Sequence, residues 1–335
     1  MNFRIIATDL AIDLGSSSIK VYKKGEGLIL NEPSIVVLSQ NAKKIMAIGR
    51  EAKEMLGKTT DELILIRPLE HSLISDFNLT EAMLNYFFQK VNPGFSVIQP
   101  RVVIAVPSGI TDIQQRAVED ASLHAGARDV IMVDESLAAN FGMGLSPEEP
   151  KAILTVNIGA GTSEVALVSL NSVVACKTSK KAGDYIDALI IDYLRENKNL
   201  EIGENTAEKI KNSLMSLKVK DAQNTMNVEG RSHHDSKPER IILKSGELAD
   251  LILPFADEVV EMMYRVLEKT PPELAGDIKN YGFVLTGGAS MISGLREYIE
   301  KKVNLNSSMS EDPMLDPIRG AGLILENPER FMKFK

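Results

Sequence analysis

Val156-Asn157-Ile158-Gly159-Ala160-Gly161-Thr162-Ser163-Glu164-Val165-Ala166-Leu167 closes an apolar strand, crosses a turn of small residues and returns as a second strand. Two glycines two apart give the backbone access to φ > 0 and allow successive N–H groups to point at one anion. The turn is therefore a candidate phosphate clamp, although an ordinary hairpin has the same composition. An earlier stretch follows the same plan: Ile12-Asp13-Leu14-Gly15-Ser16-Ser17-Ser18-Ile19-Lys20-Val21-Tyr22. Asp13-x-Gly15 matches Asn157-x-Gly159, as expected of two related halves facing each other.

A third small-residue site, Leu285-Thr286-Gly287-Gly288-Ala289-Ser290-Met291, follows a short strand and is expected to lead into a helix. None of the three has the spacing of a P-loop or of a Rossmann glycine fingerprint, so both are disfavoured.

Taken with Asp9-Leu-Ala-Ile-Asp-Leu-Gly, Asn31-Glu-Pro-Ser-Ile-Val-Val-Leu, Pro100-Arg-Val-Val-Ile-Ala-Val-Pro-Ser-Gly-Ile-Thr, Ile202-Gly-Glu-Asn-Thr-Ala-Glu-Lys-Ile-Lys and Thr270-Pro-Pro-Glu-Leu, these stretches cover nearly the whole chain. They resemble the actin/chaperone/sugar-kinase ATPase superfamily and, within it, the bacterial actin MreB family (MreB/Mbl-like). The resemblance implies an α/β, actin-like ATPase fold: two related lobes, each with a core and a small subdomain, around a nucleotide cleft. It implies core segments 1–32, 76–144 and 316–335 (IA) with a small subdomain 33–75 (IB). The second lobe would be 145–181 and 245–315 (IIA) with 182–244 (IIB).

The same resemblance assigns site residues. Asp13 and Asn157 would face the Mg²⁺ of Mg·ATP through water. Gly15, Ser16, Ser17 and Ser18 on one turn, and Gly159, Ala160, Gly161 and Thr162 on the other, would hold the phosphates. Lys20 would reach a phosphate, or else sit on a solvated strand face. Glu135, at the end of a buried strand, and Thr162 would orient the attacking water. Work of that kind is positioning and charge stabilisation rather than strong base chemistry. Gly183, Asp184, Glu208 and Lys211 would approach the ribose and phosphates, the last two being equally readable as an i,i+3 salt bridge. Gly287, Gly288, Ala289 and Met291 would lie under the adenosine. Where the family carries Asp-Ile-Gly-Gly-Gly-Thr, this chain has Asn157 and Ala160. Loss of the carboxylate predicts slower hydrolysis, and alanine is tolerated if its φ is negative.

Bulk properties agree. A chain of 335 residues can bury a substantial core and split into lobes. The net charge of -8 argues against nucleic acid as a partner. A single cysteine, Cys176, excludes an internal disulfide and suits a reducing cytoplasm. Four histidines form no metal-ligand pattern, and neither a membrane span nor a signal peptide is expected. The loop 91–99 is expected to be irregular, and a long helix over 245–269 to end at Pro271-Pro272.

The expectation is a cytoplasmic ATPase that binds ATP and ADP and builds filaments, in paired protofilaments, on the inner face of the membrane. It would act with cell-shape or wall-synthesis proteins. Phe3, Ile5 and Ile6, or Phe95, Val97 and Ile98, would touch lipid. The alternatives are a weakly hydrolysing or non-hydrolysing nucleotide-dependent scaffold, or a small-molecule kinase of the same superfamily.

Overall fold

The computed structural model describes residues 3–42, 44–57 and 62–329. Two five-stranded mixed sheets organise it. The first runs Gly27–Pro33, Ser18–Lys23, Leu10–Leu14, Arg101–Val106, Asp129–Asp134; the second runs Ser172–Ser179, Ser163–Ser169, Ile153–Ile158, Phe283–Thr286, Ser307–Met309. In each, the first three strands are antiparallel and the last two join parallel. The chain threads both in the same order, so the repeat seen in the two turns extends to whole sheets. Leu10–Leu14, Ile153–Ile158 and Ser163–Ser169 are buried along their full length. Runs of this kind belong to strands covered on both faces.

Each sheet has its own apolar core. Leu10, Ile12, Met83, Phe87 and Ile104 anchor the first, and Leu154, Val156, Phe255, Val259 and Phe283 the second. A third cluster joins the lobes, with Ala11, Ala105, Leu137, Phe141, Ala166, Val168 and Ile318 in one packed set. It forms because the helix Asp316–Glu326 returns to lie against Glu135–Gly142. The two helices approach backbone to backbone: a Cβ on Gly320 would stand 1.7 Å from the Ala138 carbonyl oxygen.

A smaller three-stranded sheet accompanies each large one. Lys44–Ile48, Val36–Ser39 and Leu63–Ile66 enclose Ile35, Val37, Ala47 and Ala52. Leu200–Glu201, Thr225–Ser232 and Pro238–Lys244 form the counterpart. The stretch 91–99 departs from expectation: Phe95–Ile98 is a strand, parallel to Phe3–Ile6. The side chains of Phe3, Ile5, Ile6 and Phe95, on which the lipid expectation rests, lie outside the described residues. The long helix spans Gly246–Leu267, and Pro272 opens a further helix, Pro272–Tyr281, as suits a proline in a first turn. Among the described residues, no helix is long and apolar enough to cross a membrane.

Candidate functional site

The two small-residue turns meet at the floor of a cleft of about 690 Å³ between the lobes. Their contact is direct. A Cβ on Gly161 would stand 2.2 Å from Ser16 Oγ and 2.9 Å from the Cα of His71. This corrects the reason for the glycines: Gly15, Gly159 and Gly161 do not have positive φ, and what they supply is room. Ala160 likewise has no positive φ and is accommodated without strain. The second turn closes through Gly159 N–H to Thr162 O at 2.9 Å. Its carbonyls then accept from the start of the helix Gly183–Lys198, with Gly183 N–H donating to Gly159 O and Asp184 N–H to Ala160 O.

Asp13, Gly15, Ser16, Ser17, Ser18, Lys20, Glu135, Asn157, Gly159, Ala160, Thr162, Gly183, Asp184, Glu208, Lys211, Gly287, Gly288 and Ala289 all line the cleft. Met291 does not. Gly288–Met291 is a 3-10 turn rather than the start of the helix, which begins at Leu295. That phase turns Met291 outward, 56% exposed, and leaves Ile292 and Met314 on the cleft wall. Gly287, at φ 86°, fits because a Cβ there would meet the Ile158 carbonyl oxygen at 2.4 Å.

Lys20 is not on a solvated face. It is buried, and its Nζ lies 2.8 Å from Asp13 Oδ2 across adjacent strands. Lys211 and Glu208 do not pair with each other. Lys211 donates to Asp187 Oδ2 at 2.6 Å and to Gly183 O at 3.1 Å. Burial pushes the Asp187 carboxyl up to about 6 against the pull of that ammonium. Glu208 instead reaches over the cleft to Lys53 at 2.9 Å, and Glu204 reaches Arg67 at 2.7 Å.

Sequence reasoning missed His71 and Ser72. They form the two-residue tip of a hairpin between Leu69–Glu70 and Leu73–Ile74, both at positive φ (53° and 55°). Non-glycine residues take that conformation uncommonly, and two in succession at a hairpin tip call for support. Here the support is visible: Ser72 N–H donates to Ser16 Oγ at 2.6 Å, and His71 Nδ1 lies 3.0 Å from Gly161 O. Ser72 Oγ is 3.4 Å from Thr162 Oγ1. One hairpin tip thus touches both clamps.

Glu135 opens the helix Glu135–Gly142. Burial first, then the charges of Asp13 and Glu164, pushes its carboxyl up to about 8, opposed by a hydrogen bond with the Asn157 side chain and by Lys20. The folded state therefore holds this proton more tightly than the unfolded chain, whose carboxyl titrates near 4.5. Its contribution to stability is present below pH 4.5 and is lost as pH rises through about 8. Relative to Glu135→Gln, the nucleotide-free protein should lose thermal stability progressively across that window. A pH-independent difference in Tm would contradict it.

A cleft walled by two copies of one topology, each presenting a small-residue turn to a shared floor, defines the actin-like class of two-lobed proteins. Comparison with known proteins narrows this. The model of the MreB/Mbl protein family matches residues 7–333, and the chain belongs to that family. It is 38% identical to the cell shape-determining protein MreB of Escherichia coli (strain K12) over 327 residues, covering 96% of this chain and 94% of the relative. It is 34% identical to the cell shape-determining protein Mbl of Bacillus subtilis (strain 168) over 331 residues, 99% of each. The crystal structure of MreB 5 of Spiroplasma citri bound to AMPPNP superposes with a TM-score of 0.91 at 28% identity, over 97% of both chains.

Proposed function

We propose that this chain is an actin-like cytoskeletal ATPase that binds ATP and ADP between its lobes, polymerises, and helps determine cell shape. The observation carrying this reading is the convergence of both clamp turns with Asp13, Glu135, Thr162 and Lys20 on one cleft floor. The AMPPNP bound to the Spiroplasma relative and the cell shape-determining role of the MreB and Mbl relatives support it. In this reading the backbone donors of 15–18 and 159–162 hold the phosphates, with Lys20 adding a fixed positive charge. Glu135 and Thr162 orient the water, while Gly287, Gly288 and Ala289 flank the nucleoside. We also propose the subdivision into IA, IB, IIA and IIB at the boundaries given above.

The residues fit a Mg²⁺ ion carried mainly by the phosphates. Among the described residues no cluster of three or more His, Cys, Asp or Glu offers an all-protein cage. Asn157 Oδ1, however, is a buried acceptor without a hydrogen-bond partner, and Asp13, paired with Lys20, lines the same cleft. Magnesium prefers such a sparse oxygen set with retained waters, and supplies neutralisation of phosphate charge. With Asn157 uncharged and Glu135 holding its proton near neutral pH, hydrolysis should be slow. A nucleotide-dependent scaffold is the second reading, favoured by the same two residues.

Attachment to the inner face of a membrane belongs to the proposal too. Val97 is 60% exposed and Ile98 38% on the strand Phe95–Ile98 of the two-stranded parallel sheet. Such side chains contribute about 1.5–3 kcal/mol each when fully buried, so a repeated filament rather than one subunit would hold lipid.

Ultracentrifugal pelleting with ATP, ADP and no nucleotide, alongside phosphate release and liposomes, tests all of this. ATP should give the most polymer, and liposomes should pellet with polymer only, less so for Val97→Ser, Ile98→Ser. Absence of nucleotide-dependent polymer would remove the cytoskeletal reading.

A further inference from the structure

Glu164 lies on Ser163–Ser169 in the second lobe, 2% exposed, and does not open on the cleft. Its carboxylate accepts from Ser108 N–H at 2.6 Å, from Ser108 Oγ at 2.8 Å, and from Ser136 Oγ. All three donors come from the first lobe's segments: Ser108 follows the strand Arg101–Val106, and Ser136 is the second residue of Glu135–Gly142. Both serines are buried. A carboxylate withdrawn from water persists when its oxygens are hydrogen-bonded, and such a bond fixes position closely because no water can take over.

The neighbours of these residues give the bond its meaning. Thr162 stands two residues before Glu164 on the same run of backbone, and Glu135 immediately precedes Ser136. We propose that Glu164 is a positioning residue: by binding Ser136 across the lobes, it sets the Glu135 carboxylate and the Thr162 hydroxyl at their working separation. This rests on the ATPase reading and adds to it a group that touches neither nucleotide nor water. Nothing in the arrangement is needed for nucleotide affinity, so its loss should appear in turnover.

Phosphate release and ATP titration on the full chain test it, comparing the unsubstituted protein with Glu164→Gln, Ser136→Ala, Glu135→Gln and the double variant Glu135→Gln, Glu164→Gln. At pH 9, where the Glu135 carboxyl is ionised with or without the Glu164 charge, Glu164→Gln and Ser136→Ala should each lower kcat roughly tenfold to a hundredfold, with KM and AMPPNP affinity within about twofold. In the Glu135→Gln background, Glu164→Gln should change nothing further, since a residue acting through Glu135 has nothing left to act on. Should Glu164→Gln fail to fold, Ser136→Ala, which removes a single donor, carries the same expectation. A loss of equal size in both backgrounds, or a loss confined to KM, overturns the proposal. If the unsubstituted chain turns over ATP and Glu164→Gln and Ser136→Ala match it, this inference alone falls. If the unsubstituted chain binds no nucleotide, the ATPase reading fails and takes the inference with it.

Discussion

Replacing Glu135 by glutamine should lower phosphate release by roughly a hundredfold or more at pH 8.5, with nucleotide binding and nucleotide-dependent pelleting retained. The substitution preserves volume and can still bond the Asn157 side chain, so what it removes is the negative charge. That charge is scarce near neutral pH, because burial and Asp13 push the carboxyl up to about 8. The unsubstituted protein should therefore gain kcat/KM as pH rises toward about 8, and the variant should show no such rise. Asn157→Asp removes a donor and adds a neighbouring charge, which moves the profile further to alkaline pH. An unchanged rate in Glu135→Gln across this range would mean that another group orients the water.

Gly161→Val should cost at least about a hundredfold in nucleotide affinity, some 2.7 kcal/mol. The added Cβ would stand 2.2 Å from Ser16 Oγ, and the serine cannot simply rotate away, because His71 Cα blocks the same space at 2.9 Å. The second turn must then lift off the first, breaking the His71 Nδ1 contact with Gly161 O and the Ser72 bond to Ser16. Gly15→Val acts differently: its Cβ would meet Ser18 O within its own turn at 2.7 Å, deforming one clamp and not the junction of both. Isothermal titration of a folded Gly161→Val variant decides the matter, and ordinary affinity would sink the phosphate assignment.

The clamps were legible because their signal is local. A polar residue, one spacer and a glycine, set in apolar strand on both sides, occur at 13–15 and again at 157–159, and the structure gives both the same place in matching sheets. Long-range features were not. Strand alternation around Lys20 cannot say which face another lobe covers, so its burial against Asp13 had to be seen. Glu70-His71-Ser72-Leu73 contains no glycine, asparagine or proline, and nothing in it announces a left-handed tip held by contacts 56 and 90 residues away. Gly287-Gly288 looks like a helix start in sequence, but the 3-10 turn that follows it changes which side chain faces inward and turns Met291 out.

Two ion pairs span the mouth of the cleft, Lys53 with Glu208 and Arg67 with Glu204, and each keeps one or both partners more than a third exposed. Pairs so open to water contribute about 1 kcal/mol at most. Together they favour the shut arrangement over a gaping one by no more than roughly thirtyfold. Opening must break these pairs as well as the His71 and Ser72 contacts with the second clamp, so the pairs set only part of the cleft's breathing. Because dissolved salt weakens exposed pairs, ionic strength becomes a dial on that breathing, and on how long a guest stays inside.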